Sequence, residues 1–188
     1  MEHEPIRRRF HSLSAEATER LGESLGEALG GGAVLALDGE LGAGKTAFIR
    51  GLARGLGVGD QISSPTFTLM IEYQGRLPFF HFDAWMAGRE ALFLEGGGAD
   101  YLGSEGVCAI EWAARVGSYL PAMRLSLRFG HRTPEERMIE CELLGAQAQP
   151  SALQTDLTRA LQGLEPGLEL IELSWPQGEP SQVRDVEA

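Results

Sequence analysis

A chain of 188 residues with 43% apolar and 23% charged side chains is long enough to bury one domain core. No run approaches the roughly 18–20 apolar residues that span a bilayer, so no membrane role is expected. Sixteen basic against 27 acidic residues leave a net charge of −11, which disfavours strong direct nucleic-acid binding, where phosphates call for a basic face.

The first residues, Met1-Glu2-His3-Glu4-Pro5-Ile6-Arg7-Arg8-Arg9, lack the apolar core of a secretory signal. Cys108 and Cys141 sit in apolar or amphipathic runs without metal-ligand spacing and read as reduced core thiols of a cytoplasmic protein. Residues 1–12 read as a flexible lead-in. From Ser14, a residue type that caps helices, Ala17, Leu21, Leu25, Ala28 and Leu29 recur at helical spacing until Gly30-Gly31-Gly32 ends the pattern. Residues 33–37 are wholly apolar, as in a buried parallel strand. A Gly-rich loop and a helix over 45–56 follow. Residues 63–66 form a loop, and 67–73 and 76–82 read as strands about a Gln74-Gly75 turn. Residues 88–102 suit two short helices parted by Gly96-Gly97-Gly98, residues 107–110 a buried strand, and residues 113–119 a helical turn or two. A late strand pair is expected at 124–129 and 137–144, a helix at 151–161 and an edge strand at 168–175. Residues 164–188 hold three prolines and six acidic residues against one arginine, the composition of an acidic, mobile tail. The organisation expected is one domain over 13–163 between two loose ends. Alternating strands and helices predict an α/β fold, a three-layer sandwich with a mixed, mainly parallel sheet flanked by helices.

Gly39-Glu40-Leu41-Gly42-Ala43-Gly44-Lys45-Thr46 satisfies the G-x-x-x-x-G-K-[ST] phosphate-loop pattern, with an apolar strand before it and a helix starting within it. Glycines let the backbone aim N–H groups inward, and the helix N-terminus adds partial positive charge toward phosphates. The chain has fifteen arginines and a single lysine, and that lysine is Lys45. A compact ammonium fits a tight loop around a β/γ-phosphate, where a planar guanidinium does not. Thr46 supplies a hydroxyl for magnesium. The chain is therefore expected to bind a magnesium–nucleoside triphosphate and hydrolyse it.

Two apolar runs end in a carboxylate, Phe79-Phe80-His81-Phe82 in Asp83 and Val107-Cys108-Ala109-Ile110 in Glu111. Each carboxylate either holds magnesium or orients the attacking water, or else caps a following helix. Thr66 follows Thr46 at a distance that suits a loop returning to sense the γ-phosphate. Trp112 is either core or a stacking partner for a base.

Taken in order, the phosphate loop, Ser64-Pro65-Thr66-Phe67-Thr68-Leu69, His81-Phe82-Asp83 and Glu111-Trp112 resemble the TsaE (YjeE) family over residues 14–144. The resemblance implies a P-loop NTPase-like fold and a small ATPase needed for threonylcarbamoylation of adenosine 37 (t6A) in tRNAs that read codons beginning with A. It implies TsaB and TsaD as partners, with TsaD making the transfer and tRNA met only through the complex. By position it implies Thr46 and Glu111 as magnesium ligands, Thr66 in a switch loop and Asp83 in catalysis. It further implies Trp112 near the nucleotide, and Thr18 and Arg137 near the base. Trp85 and Met86 stand where the family usually carries Tyr-Arg, so one positive charge is missing there.

A P-loop kinase acting on a small metabolite is the alternative from another class, but no arginine-rich lid segment stands out. A nucleotide-dependent binding switch with negligible turnover is a third reading. The guanine-reading Asn-Lys-x-Asp signature cannot occur with Lys45 as sole lysine. With no arginine placed as a finger, turnover alone should be slow, ~10⁻⁴–10⁻² s⁻¹.

Overall fold

The computed structural model describes residues 7–86, 88–145, 152, 155–156 and 168–170. In chain order the elements are β1 (Arg7–Ser12), α1 (Ala15–Ala28), β2 (Val34–Gly39), α2 (Lys45–Gly55), β3 (Met70–Gln74) and β4 (Pro78–Asp83). Then come α3 (Arg89–Glu95), a 3-10 turn (Gly98–Tyr101), β5 (Val107–Glu111) and a 3-10 segment (Ala113–Tyr119). The strands β6 (Arg124–His131), β7 (Arg137–Leu144) and β8 (Leu168–Leu170) complete the order.

The eight strands among the described residues join one sheet, ordered β3-β4-β5-β2-β6-β7-β1-β8. β4, β5, β2 and β6 are parallel neighbours, and every outer pairing is antiparallel. The sheet is mixed, and its parallel part is confined to the centre, because β3–β4 and β6–β7 are hairpins whose short links permit only antiparallel pairing.

Helices cover both faces. Leu21, Leu25, Phe48, Ile49 and Leu52 from α1 and α2 pack on Leu35, Leu37, Phe79, Leu125 and Leu127. On the other face Leu94, Ala113 and Val116 meet Val34, Ala36, Phe82 and Ile110. The Ser14 side chain accepts the Ala17 N–H at 3.2 Å and caps α1. The two helices cross at bare backbone: a Cβ on Gly51 would lie 1.8 Å from the Glu19 carbonyl oxygen, and one on Gly22 would lie 2.1 Å from that of Phe48. This close crossing fixes α2, and thereby the phosphate loop that precedes it.

Two sequence expectations change. Residues 7–12, expected within a flexible lead-in, form β1 between β7 and β8. Phe10 drops into the core opposite Ile139, while Arg7 and Arg9 pair with Glu142 and Glu140 at 2.6 Å each. The strand's partner lies over a hundred residues away, so no local pattern marks it. The strand expected from 67 begins only at Met70, because Leu69 takes a left-handed φ of 67° and ends the turn that exposes Phe67. At the other end of the chain, β8 occupies the start of the 168–175 segment. Most of the 151–161 helix and the tail from 176 lie outside the described residues.

Cys108 and Cys141 are buried free thiols; burial pushes Cys108 up to about 12 and raises Cys141 as well. No helix among the described residues is long and apolar enough to cross a membrane.

Candidate functional site

The C-terminal ends of β2, β4 and β5 converge where the phosphate loop turns into α2, the edge at which open α/β sheets carry ligand sites. A cleft of about 370 Å³ opens there, lined by the loop from Leu41 to Ala47 and by Ser64, Thr66, Asp83, Trp85, Glu111 and Trp112. That volume lies in the range of small-molecule sites. Gly42 and Gly44 sit at φ 75° and 105°, conformations that a side chain would strain. Gly39, at φ 143°, passes so close to β6 that a Cβ would meet the Phe129 carbonyl oxygen at 2.3 Å.

Lys45 begins α2 and is buried, 4% exposed. Its Nζ donates to the carbonyls of Gly39 (2.7 Å) and Glu40 (3.0 Å), and the Trp112 ring centroid lies 3.8 Å away. Desolvation is the largest influence on its charge and depresses its pKa, opposed by Glu111, then Asp38, then Asp83. An anion entering the loop would compensate that desolvated cation.

Thr46 Oγ1 donates to Glu111 Oε1 and Oε2 at 3.1 and 3.2 Å. A hydroxyl and a carboxylate already in contact at the cleft form the hard-oxygen donor set that magnesium takes, with its remaining positions left to phosphate and water. No group of three or more His, Cys, Asp or Glu side chains forms a fuller metal cage among the described residues. The donor set therefore fits a magnesium–phosphate ligand.

Asp83 pairs in register with Glu111 on the neighbouring parallel strand. Its Oδ2 accepts the hydroxyls of Ser64 (2.8 Å) and Thr66 (2.7 Å), and its Oδ1 accepts the Trp85 N–H (2.9 Å). Asp83 thus ties the 63–66 loop to the end of β4. Trp85 stacks obliquely on Trp112 at 4.6 Å between centroids, and the Arg115 guanidinium lies 5.1 Å over the Trp85 ring.

Among the described residues the only non-glycine residues at positive φ are Trp112, which lines this cleft, and Leu69, whose carbonyl accepts the N–H of the cleft residue Asp83 at 3.0 Å. Such backbone concentrates at functional sites. Trp112, left open between core and base stacking, is half-buried against the Lys45 ammonium, on the phosphate side of the cleft. Thr18 is buried, with its hydroxyl 2.8 Å from that of Ser12. Arg137 donates to Thr133, Pro134 and Glu136 carbonyls and, at 3.3 Å, to that of Gly42. Both flank Gly44 from behind the loop; neither lines the cleft. Among the described residues no arginine lines the cleft, and Arg89 is exposed at the start of α3.

Two residues to which sequence reasoning assigned no role stand behind the cleft. Asp38, at the end of β2, accepts the Ala114 N–H at 2.9 Å and so anchors the turn that carries Trp112; burial raises its pKa. His81, wholly buried in β4, lies with Nε2 3.0 Å from Glu111 Oε1. The sequence signal for Asp38 is a titratable side chain at the end of an apolar strand; His81 also stands in the His81-Phe82-Asp83 motif, which gave it no role of its own.

A profile of the family described as "Threonylcarbamoyl adenosine biosynthesis protein TsaE" matches residues 12–139. The chain belongs to the TsaE family. The TsaE protein named for tRNA threonylcarbamoyladenosine biosynthesis in Treponema pallidum is 44% identical over 119 residues, 62% of this chain and 88% of that protein. The protein of the same name in Bacillus subtilis is 36% identical over 138 residues, 73% of this chain and 86% of its own length. The crystal structure of Bacillus subtilis YdiB superposes with a TM-score of 0.70 at 29% identity, covering 86% of this chain and 98% of that one. The TsaE profile thus spans β2, α2, β4 and β5, the elements that build the cleft, together with all of β6 and the first three residues of β7.

Proposed function

We propose that this chain acts in the biosynthesis of threonylcarbamoyladenosine in tRNA as its P-loop ATPase, hydrolysing magnesium–ATP in the cleft between Lys45 and Glu111. The observation that carries the reading is the Thr46–Glu111 contact, which sets a magnesium donor pair beside a desolvated lysine at the mouth of a phosphate loop. Lys45 leaves its two loop carbonyls for the β/γ-phosphates, and the amides of residues 42–46 receive the remaining phosphate oxygens. Thr46 and Glu111 would hold magnesium, which would supply positive charge against the phosphates. Thr66 and Asp83 shape the side of the cleft from which water attacks.

Among the described residues the cleft lining holds Lys45 as its one cationic side chain. In this reading turnover by the chain alone is slow, and partner proteins raise it. The family assignment supports TsaB and TsaD as those partners, with TsaD performing the threonylcarbamoyl transfer, in the cytoplasm. The net charge of −11 agrees with tRNA being held by the partners rather than by this chain.

The deciding experiment measures ATP hydrolysis by the purified chain with and without TsaB and TsaD, beside a panel of small phosphate acceptors. Stimulation by the two proteins with no acceptor phosphorylated is the expected result. Phosphate moving to a metabolite, indifferent to both proteins, would make this a kinase. Lys45→Ala should abolish turnover and weaken triphosphate binding; wild-type activity in that variant sinks the nucleotide assignment.

A further inference from the structure

We propose that His81 is a positioning residue that orients the Glu111 carboxylate for magnesium, an inference that rests on the magnesium reading above. His81 is 0% exposed in β4 and does not line the cleft, so it acts through Glu111 or not at all. Its ring is near-parallel to that of Phe79, with 6.4 Å between centroids, which holds its plane. Nε2 lies 3.0 Å from Glu111 Oε1, while Nδ1 is buried and has no hydrogen-bond partner among the described residues.

Those two nitrogens decide the tautomer. An ionised carboxylate only accepts, so the nitrogen facing it must donate. A hydrogen on Nδ1 would be a buried donor with no acceptor, costlier than a bare ring nitrogen. The hydrogen therefore sits on Nε2 and is given to Glu111 Oε1.

Glu111 is gripped from two sides. Thr46 touches both carboxylate oxygens from the cleft, and His81 holds Oε1 from behind. When Thr46 and Glu111 turn to a cation, the His81 bond is the contact that keeps the carboxylate plane from rotating. The grip follows from strand register: His81 pairs with Ala109 on the parallel neighbour, two residues short of Glu111, and reaches diagonally along the same face. Partners of this kind behind a metal ligand are worth about 10–100-fold in metal affinity.

The test is ATP binding by the full chain with and without magnesium, for wild type, His81→Phe and His81→Gln. His81→Phe should weaken the magnesium-dependent part of the affinity about 10–100-fold and leave magnesium-free binding unchanged. His81→Gln, whose amide N–H reaches the same oxygen, should restore most of the loss. Unaltered magnesium dependence in folded His81→Phe overturns the proposal. Nitrogen-15 NMR of the wild-type histidines, with His81 identified by its disappearance in His81→Gln, tests the tautomer without relying on the Phe variant folding. A hydrogen found on Nδ1 alone overturns the proposal too. Glu111→Gln separates the two levels: if it keeps full magnesium dependence, the ligand assignment itself fails and carries this proposal down with it.

Discussion

Asp83 and Glu111 end neighbouring parallel strands, face each other in register and are equally hidden, each 4% exposed. Their partners differ in kind. Glu111 is held by Thr46 in the first turn of α2 and by His81 inside β4, two groups built into regular structure. Asp83 is held by Ser64 and Thr66, two hydroxyls on a loop, and by the backbone of Trp85 just beyond its own strand. Depth and residue class do not distinguish the two carboxylates; the rigidity of what they touch does. A carboxylate on fixed partners suits a metal ligand, which needs constant geometry. One on loop hydroxyls suits a latch, which must be able to let go.

Three perturbations can break this contrast. Glu111→Gln should have the largest effect, lowering kcat by about 10²–10³-fold in a steady-state ATPase assay, the scale of losing one group that stabilises or orients the transition state. A fall of less than threefold would remove Glu111 from the chemistry. Asp83→Ala should act first on the loop. Losing a charged acceptor for two hydroxyls, about 1.5–3 kcal/mol, should speed amide hydrogen exchange over residues 63–69 roughly ten- to a hundredfold without nucleotide. Equal protection in variant and wild type would show that Asp83 latches nothing.

The smallest effect is electrostatic. Glu111 stands ahead of Asp83 among the charges that sustain the Lys45 ammonium, so Glu111→Gln should lower the Lys45 titration further than Asp83→Asn does. The single lysine gives one resolvable side-chain NMR signal for this measurement. The sign for stability follows from the same depression. Between its lowered folded pKa and its unfolded value of 10.5, the unfolded chain binds the extra proton, so stability rises with pH across that window. Relative to Lys45→Met, the wild type should therefore gain stability as pH is raised toward 10.5 in paired urea titrations. A constant difference would deny the desolvation of Lys45.

Local pattern was sufficient wherever a function depends on neighbours in the chain. The phosphate loop is eight consecutive residues whose glycines, lysine and threonine act through their own backbone and the next helical turn. The carboxylates after apolar strands, the Ser14 cap and the α1 stripe are legible for the same reason. Asp83 and Glu111 could be read as candidates but not told apart, since their difference lies in partners 17 to 65 residues away. The pairing of β1, the ring of Trp112 over Lys45 and the His81–Glu111 bond were likewise decided only by tertiary structure. Each depends on which strands become neighbours and in what register, and register is set by the packing of whole faces rather than by the residues it brings together.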